Sequence, residues 1–257
     1  MRKYFYGQNP PLPYFEGWYF KLQNGSGQAA ALIPAMHIQK NGQKSASIQI
    51  ISETDSWWVE YPADQFSACE NRFFVRIGES TFSEQGIRIS VQKDGISLRG
   101  SVSFGPPLPI RYDIMGPFRW LPNMECSHSV ISMSHRLDGC LILNGEKLDC
   151  SGGLGYIESD RGRSFPENYL WTQCCWENSS IMLSIASIPA LRIQFTGCIC
   201  AIVHEGKEYR IATYKGARVV QWSKDYALVQ QGKYRLEVQL LKQSAQPLRA
   251  PADGDMC

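Results

Sequence analysis

Alternation of apolar and polar residues is the feature that most constrains this chain. Ile87, Ile89 and Val91 alternate with Arg88, Ser90 and Gln92, and Tyr234, Leu236, Val238 and Leu240 alternate with Arg235, Glu237 and Gln239. A period of two sends successive side chains to opposite faces, so each segment reads as a β-strand with one dry and one wet face. Turn dipeptides recur at Asn24-Gly25, Asn41-Gly42, Asp94-Gly95, Asp138-Gly139, Asn144-Gly145 and Glu205-Gly206. Such pairs favour tight hairpin turns, and together they predict a meander of antiparallel strands. No amphipathic helix longer than three turns can be traced.

Composition narrows the function classes. With 44% hydrophobic and 19% charged residues in 257, the chain carries enough apolar material for a core. Its 26 Lys and Arg against 24 Asp and Glu leave a net charge of +2, without a basic cluster, which argues against nucleic-acid binding. The opening Met1 to Pro11 lacks the apolar stretch of a signal peptide, and no segment approaches the ~18 apolar residues of a membrane-spanning helix. Nine cysteines, with an adjacent Cys174-Cys175 pair and a Cys198-x-Cys200 spacing, fit neither a zinc ribbon nor a redox CxxC, and read as reduced thiols in a cytoplasmic protein.

An internal echo suggests duplication. Ala31 to Gln39 and Ala186 to Gln194 both read A-x-I-P-A-x-x-I-Q, each after an aromatic strand, Phe15 to Phe20 and Tyr169 to Trp176. Two β-units, each a Trp strand followed by a Pro-bulged strand, are therefore expected. The Pro-rich Gly105 to Pro109 and Met115 to Phe118 supply a junction. This predicts an N-terminal unit over 1–117, a C-terminal unit over 118–243 and a polar, mobile tail over 244–257. Antiparallel barrels or curved sheets remove exposed edges, and small barrels can enclose an apolar ligand.

Three stretches carry potential chemistry. In Gly155 to Pro166, a strand would set Tyr156, Glu158 and Asp160 on one face, where paired carboxylates raise each other's proton affinity and can supply a general acid. Alternatively, Arg161 and Arg163 neutralise both acids at a solvent-facing strand end. In Met124 to His135, strict alternation groups Ile131, Met133 and His135 apart from His128, Ser132 and Ser134, so the two histidines do not converge on a metal. Cys126 shares a face with His128, but no oxyanion hole is evident for a thiolate nucleophile. In Tyr14 to Lys21, Glu16, Trp18 and Phe20 share a face, as a buried acid or as part of an aromatic pocket; Trp171 and Gln173 hold the matching place in the second unit. Phosphate loops, nucleophile elbows, zincin and EF-hand motifs are absent.

The blocks Glu16 to Lys21, Met124-Glu125-Cys126-Ser127-His128 and Gly155 to Pro166, followed by Trp171-Thr172-Gln173, resemble the signature segments of the tocopherol cyclase family, in order, from about Tyr14 to Leu241. Two positions depart from its pattern: Arg161 stands where Trp is usual, and Cys175 where Asn is usual. The resemblance implies an all-β chain of two tandem lipocalin-like units enclosing an apolar cavity, related to the carotenoid hydratase group. It also implies closure of a prenylated hydroquinone to a chromanol, without cofactor or metal, by protonation of an alkene and attack of the phenol oxygen on the cation. In this reading Asp160 is the acid, Glu158 orients it or raises its proton affinity, and His128 is the base. Glu16, Trp18, Glu125, Tyr156, Trp171 and Gln173 contact the substrate. Alkene hydration shares the first step, and a non-catalytic lipocalin-like carrier would use the same cavity. The expected partner is a hydrophobic small molecule, a prenylated aromatic or isoprenoid, which a transient membrane contact could deliver.

Overall fold

The computed structural model describes residues 3–93, 95–120, 124–190, 193–242, 248–249 and 255–256. Strands β1 (Tyr14–Gln23), β2 (Ala29–Ile38), β3 (Lys44–Ile51) and β4 (Ser56–Pro62) form a meander. A short 3-10 turn, Ala63–Gln65, leads to β5 (Phe66–Ala68), β6 (Phe74–Ile77), β7 (Ser80–Ser83), β8 (Gly86–Lys93) and β9 (Ile96–Phe104). After a loop containing the 3-10 turn Gly116–Trp120 come β10 (Cys126–Leu143), β11 (Glu146–Asp149) and β12 (Leu154–Gly162).

These twelve strands make one antiparallel sheet in the order β4-β3-β2-β1-β12-β10-β9-β8-β7-β6-β5, with β11 paired to β10. The sheet therefore runs across position 117/118, because β12 pairs with β1 and β10 pairs with β9. Its edge strands, β4 and β5, are consecutive in the chain, so the sheet curls on itself without closing by hydrogen bonds. Inside the curl, Trp18, Phe20, Leu32, Ile48 and Val59 meet Ile77, Phe82, Ile87, Ile89 and Val91 in one buried cluster. The alternation in β8 is thus a core-facing stripe.

A second sheet follows, β13 (Tyr169–Trp176), β14 (Ser179–Ala190), β15 (Ile193–His204) and β16 (Lys207–Ala212), and a third, β17 (Arg218–Trp222), β18 (Tyr226–Gln231) and β19 (Tyr234–Gln239). Leu183, Ile185, Cys198 and Cys200 pack against Ala227 and Val229 between these two sheets. Ile114, Met115, Val130, Met133, Tyr156, Met182 and Ile199 join the second sheet to the first. The all-β, antiparallel, curved-sheet architecture expected from the alternation is what is observed. Of the tail, Leu248–Arg249 pairs with Asp255–Met256, and the rest of 244–257 lies outside the described residues.

Several local readings change. Asp138-Gly139 is not a turn but lies within β10, where Gly139, at φ 122°, lets the strand press against Ser101 and Val102 of β9. Pro34 makes no bulge: β1 and β2 keep one register from Gly17↔Ala35 to Phe20↔Leu32, and only the ladder lapses beside the residue that lacks an N–H. The second copy of the echo reaches the β14–β15 hairpin, with 191–192 outside the described residues, so the two copies occupy unlike places. Strict alternation also fails in β10. Its register against β12 shifts between Val130 and Ser132 and again before His135, so Ile131 joins the core of the first curl while Met133 joins Val130 on the other face.

Candidate functional site

The cavity lies between the first sheet and β13–β15 and measures about 490 Å³. Both faces of β1 are covered, and the face opposite to the expected one meets the cavity. Phe15, Gly17 and Tyr19 line it, while Trp18 and Phe20 enter the core of the curl and Glu16 shares their face. Glu16 and Trp18 are therefore not cavity residues. Glu16 accepts hydrogen bonds from the Tyr6 N–H at 2.9 Å and the Tyr14 hydroxyl at 2.8 Å, and burial pushes its carboxyl up to about 7. Trp18 borders a smaller, more polar hollow of about 370 Å³.

The residues of β12 fall as expected. Tyr156, Glu158 and Asp160 share a face, with Ile157 on the other in the core of the curl. The register pairs Asp160 directly with His128 on β10 and with Gly17 on β1. His128 Nδ1 is 2.5 Å from Asp160 Oδ1, and Nε2 is 3.0 Å from Glu158 Oε2, although the latter approach is off the hydrogen-bonding line. Glu158 Oε2 also accepts from the Tyr156 hydroxyl at 2.5 Å and from Trp171 Nε1 at 3.3 Å. It is thus His128, not an arginine, that sits between the acids. Arg161 turns to the opposite side and lies over the Tyr6 ring at 3.9 Å.

Electrostatics follow from this enclosure. Burial alone would lower the affinity of His128 for its proton, but Asp160 and Glu158 together hold it well above its usual range. Glu158, 3% exposed, has its carboxyl raised chiefly by burial. Two carboxyls and one imidazole in contact therefore form a proton-sharing unit opening into an apolar space. Their ligand-type atoms lie within 4.8 Å of one another, a grouping able to surround a cation, although here each imidazole nitrogen already faces a carboxylate oxygen. The Cys126 sulfur lies 3.7 Å from Asp160, and burial and that carboxylate keep it a thiol.

The remaining expected residues separate. Glu125 and Trp171 line the cavity. Tyr156 and Gln173 do not: Tyr156 is fully buried behind Glu158, and Gln173 donates to the Cys175 sulfur at 3.0 Å. His135 does not join His128; it bonds Ser132 at 3.0 Å, packs on Phe104, and burial lowers it to about 4. The cavity wall also contains His37, Ser47, Gln49 and Trp58, which sequence reasoning did not single out. The one signal for His37 was its place in the Ala31 to Gln39 echo. The eight described cysteines are free thiols, and among the described residues no helix is long and apolar enough to cross a membrane.

No family model and no curated protein matches the sequence. Solved structures do. A candidate AttH from Nitrosomonas europaea superposes with TM-score 0.57 at 12% identity, over 93% of this chain and 84% of that one. Kievitone hydratase from Nectria haematococca gives 0.50 at 11% identity, over 91% and 79%. CghA, in complex with Sch210972, gives 0.50 at 10% identity, over 76% of this chain and 59% of CghA. At these identities the likeness is one of fold, a lipocalin-like all-β architecture.

Proposed function

We propose that this protein is a cofactor-independent enzyme that protonates an alkene of a hydrophobic substrate and traps the resulting cation with an oxygen nucleophile. The observation that carries the proposal is the His128 imidazole held between Asp160 and Glu158 on the wall of an apolar cavity. Asp160, the more open of the two carboxyls, donates the proton to the alkene carbon. Glu158, fixed by Tyr156 and Trp171, keeps an additional proton within the unit because burial disfavours its charge. The tertiary carbocation forms among Phe15, Tyr19 and Trp171, whose ring faces stabilise positive charge without offering a nucleophile. As the oxygen bonds to the cation, its proton returns to the Asp160–His128 pair, and the unit is restored.

In the tocopherol cyclase-like form of the reaction, the nucleophile is the phenol of the same prenylated hydroquinone and a chromanol ring closes. In the hydratase-like form it is water; the fold shared with kievitone hydratase favours keeping this second form. One experiment separates them. Geranylgeranyl hydroquinone is incubated with the protein in D2O and the products are weighed by mass spectrometry. Cyclisation yields an isomer carrying one carbon-bound deuterium, and hydration adds the elements of water as well. Ligand that is bound but returned without carbon-bound deuterium identifies a carrier and refutes the enzymatic reading.

A further inference from the structure

The cavity floor is a regular grid, because strands β3, β2, β1, β12 and β10 lie side by side in register. One row runs His128, Asp160, Gly17, Ala35, Ser47, each paired with the next across adjacent strands. A neighbouring row carries Glu158 paired with Tyr19 at one end and Ile33 paired with Gln49 at the other. The proton-sharing unit thus occupies one end of the floor, and a second polar group, His37, Ser47 and Gln49, occupies the other. Gly17 and Ala35 lie between them as a shallow trough. Asp160 and Ser47 stand three strand spacings apart, about 14 Å along the sheet.

The second group is built but incomplete. Ser47 is fully buried and bonds His37 Nε2 at 2.8 Å, which holds both side chains in place. Gln49 is 95% buried, since only 5% of it is exposed, and it lines the cavity. Among the described residues its side-chain amide has no hydrogen-bond partner. The amide opens onto the cavity, where a bound oxygen function can pair with it. On a floor otherwise lined by Ile33, Ile51 and Trp58, this is a specific polar contact in an apolar surface.

We infer that Gln49, supported by the Ser47–His37 pair, is a second ligand-recognition point that binds a hydroxyl or carbonyl of the substrate far from the alkene that Asp160 protonates. The amide offers both a donor and an acceptor, so either oxygen function fits. The separation along the row makes this oxygen a handle and not the attacking nucleophile. The substrate class is an extended isoprenoid with an oxygen function at one end and the reacting alkene toward the other. The inference rests on the proposed alkene chemistry for its orientation, but its binding contact is independent of that chemistry.

The test uses farnesol and the hydrocarbon that lacks only its hydroxyl, with dissociation constants read from quenching of the cavity tryptophans. The wild-type protein is expected to prefer farnesol by about tenfold, the worth of one well-formed buried hydrogen bond. Gln49→Leu should bring that preference close to one without weakening hydrocarbon binding, and Ser47→Ala, a smaller change in the same group, should reduce it. Asp160→Asn should leave it intact. A preference that survives in Gln49→Leu, or is absent from the wild type, overturns the inference, as does failure of both ligands to bind. A Gln49-dependent preference with no deuterium entering farnesol from D2O would uphold the recognition point and remove the catalytic reading alone.

Discussion

His128 and Asp160 are direct cross-strand partners on β10 and β12, and their side chains meet at 2.5 Å on the cavity face. The contact is set by register and not by a loop, so backbone hydrogen bonds on both strands hold it. β10 preserves it despite its bulges, because the shifts lie beyond Val130, on the side away from His128. Placement on paired strands gives an acid–base unit a rigid frame, and the cavity wall keeps bulk water from levelling its proton affinities.

The carboxyls should dominate turnover. Asp160→Asn and Glu158→Gln are each expected to lower kcat by about 100-fold or more while leaving ligand affinity within a few-fold, because general acid catalysis is lost and the cavity shape is kept. Steady-state rates with geranylgeranyl hydroquinone, beside fluorescence-derived affinities, check this. Wild-type rates in both variants would refute the assigned roles.

Tyr156 should act as a positioning residue. It sits behind Glu158 and donates to Oε2 without lining the cavity. Tyr156→Phe should reduce kcat by about tenfold with little change in KM. Loss of a donor to the charged carboxylate raises the proton affinity of Glu158 further, so the basic limb of the pH–rate profile should move to higher pH. A profile that does not move would assign Tyr156 to packing alone.

Glu16 should make stability depend on pH. Its carboxyl is raised to about 7 in the folded protein from 4.5 when free. A raised carboxyl contributes most below the unfolded value and loses that contribution as pH rises through the folded one, here between about pH 4.5 and 7. The loss is on the order of 3 kcal/mol. Glu16→Gln, which cannot ionise, should flatten that part of the stability curve between about pH 4.5 and 7. Urea titrations at both ends of the range measure it.

Gly17 should control access to the trough. A Cβ at this position would lie 3.2 Å from the Ala35 Cβ, and any larger side chain would rise from the floor between the two polar groups. Gly17→Val is expected to weaken farnesol and its hydrocarbon analogue together, by about tenfold or more, with Asp160 and Gln49 both intact. Calorimetry of both ligands, with circular dichroism as a check on folding, distinguishes this from the selective loss expected in Gln49→Leu.

The sequence by itself determined the all-β class, the hairpin turns at Asn24-Gly25, Asn41-Gly42, Asn144-Gly145 and Glu205-Gly206, and the common face of Tyr156, Glu158 and Asp160. Each is a local property, because a period of two and a turn dipeptide act within a few residues. Tertiary structure decided the rest. Which face of β1 is the cavity face depends on which sheet covers it, and the alternation of Glu16, Trp18 and Phe20 against Phe15, Gly17 and Tyr19 is equally compatible with either choice. Bulges in β10 reversed the side taken by Met133, and no residue type announced them. The approach of His128 to the two acids, and the gathering of His37, Ser47 and Gln49 at the far end of the same floor, arise from strand order and register. Those are long-range pairings between segments as distant as β1 and β12, and local sequence pattern carries no record of them.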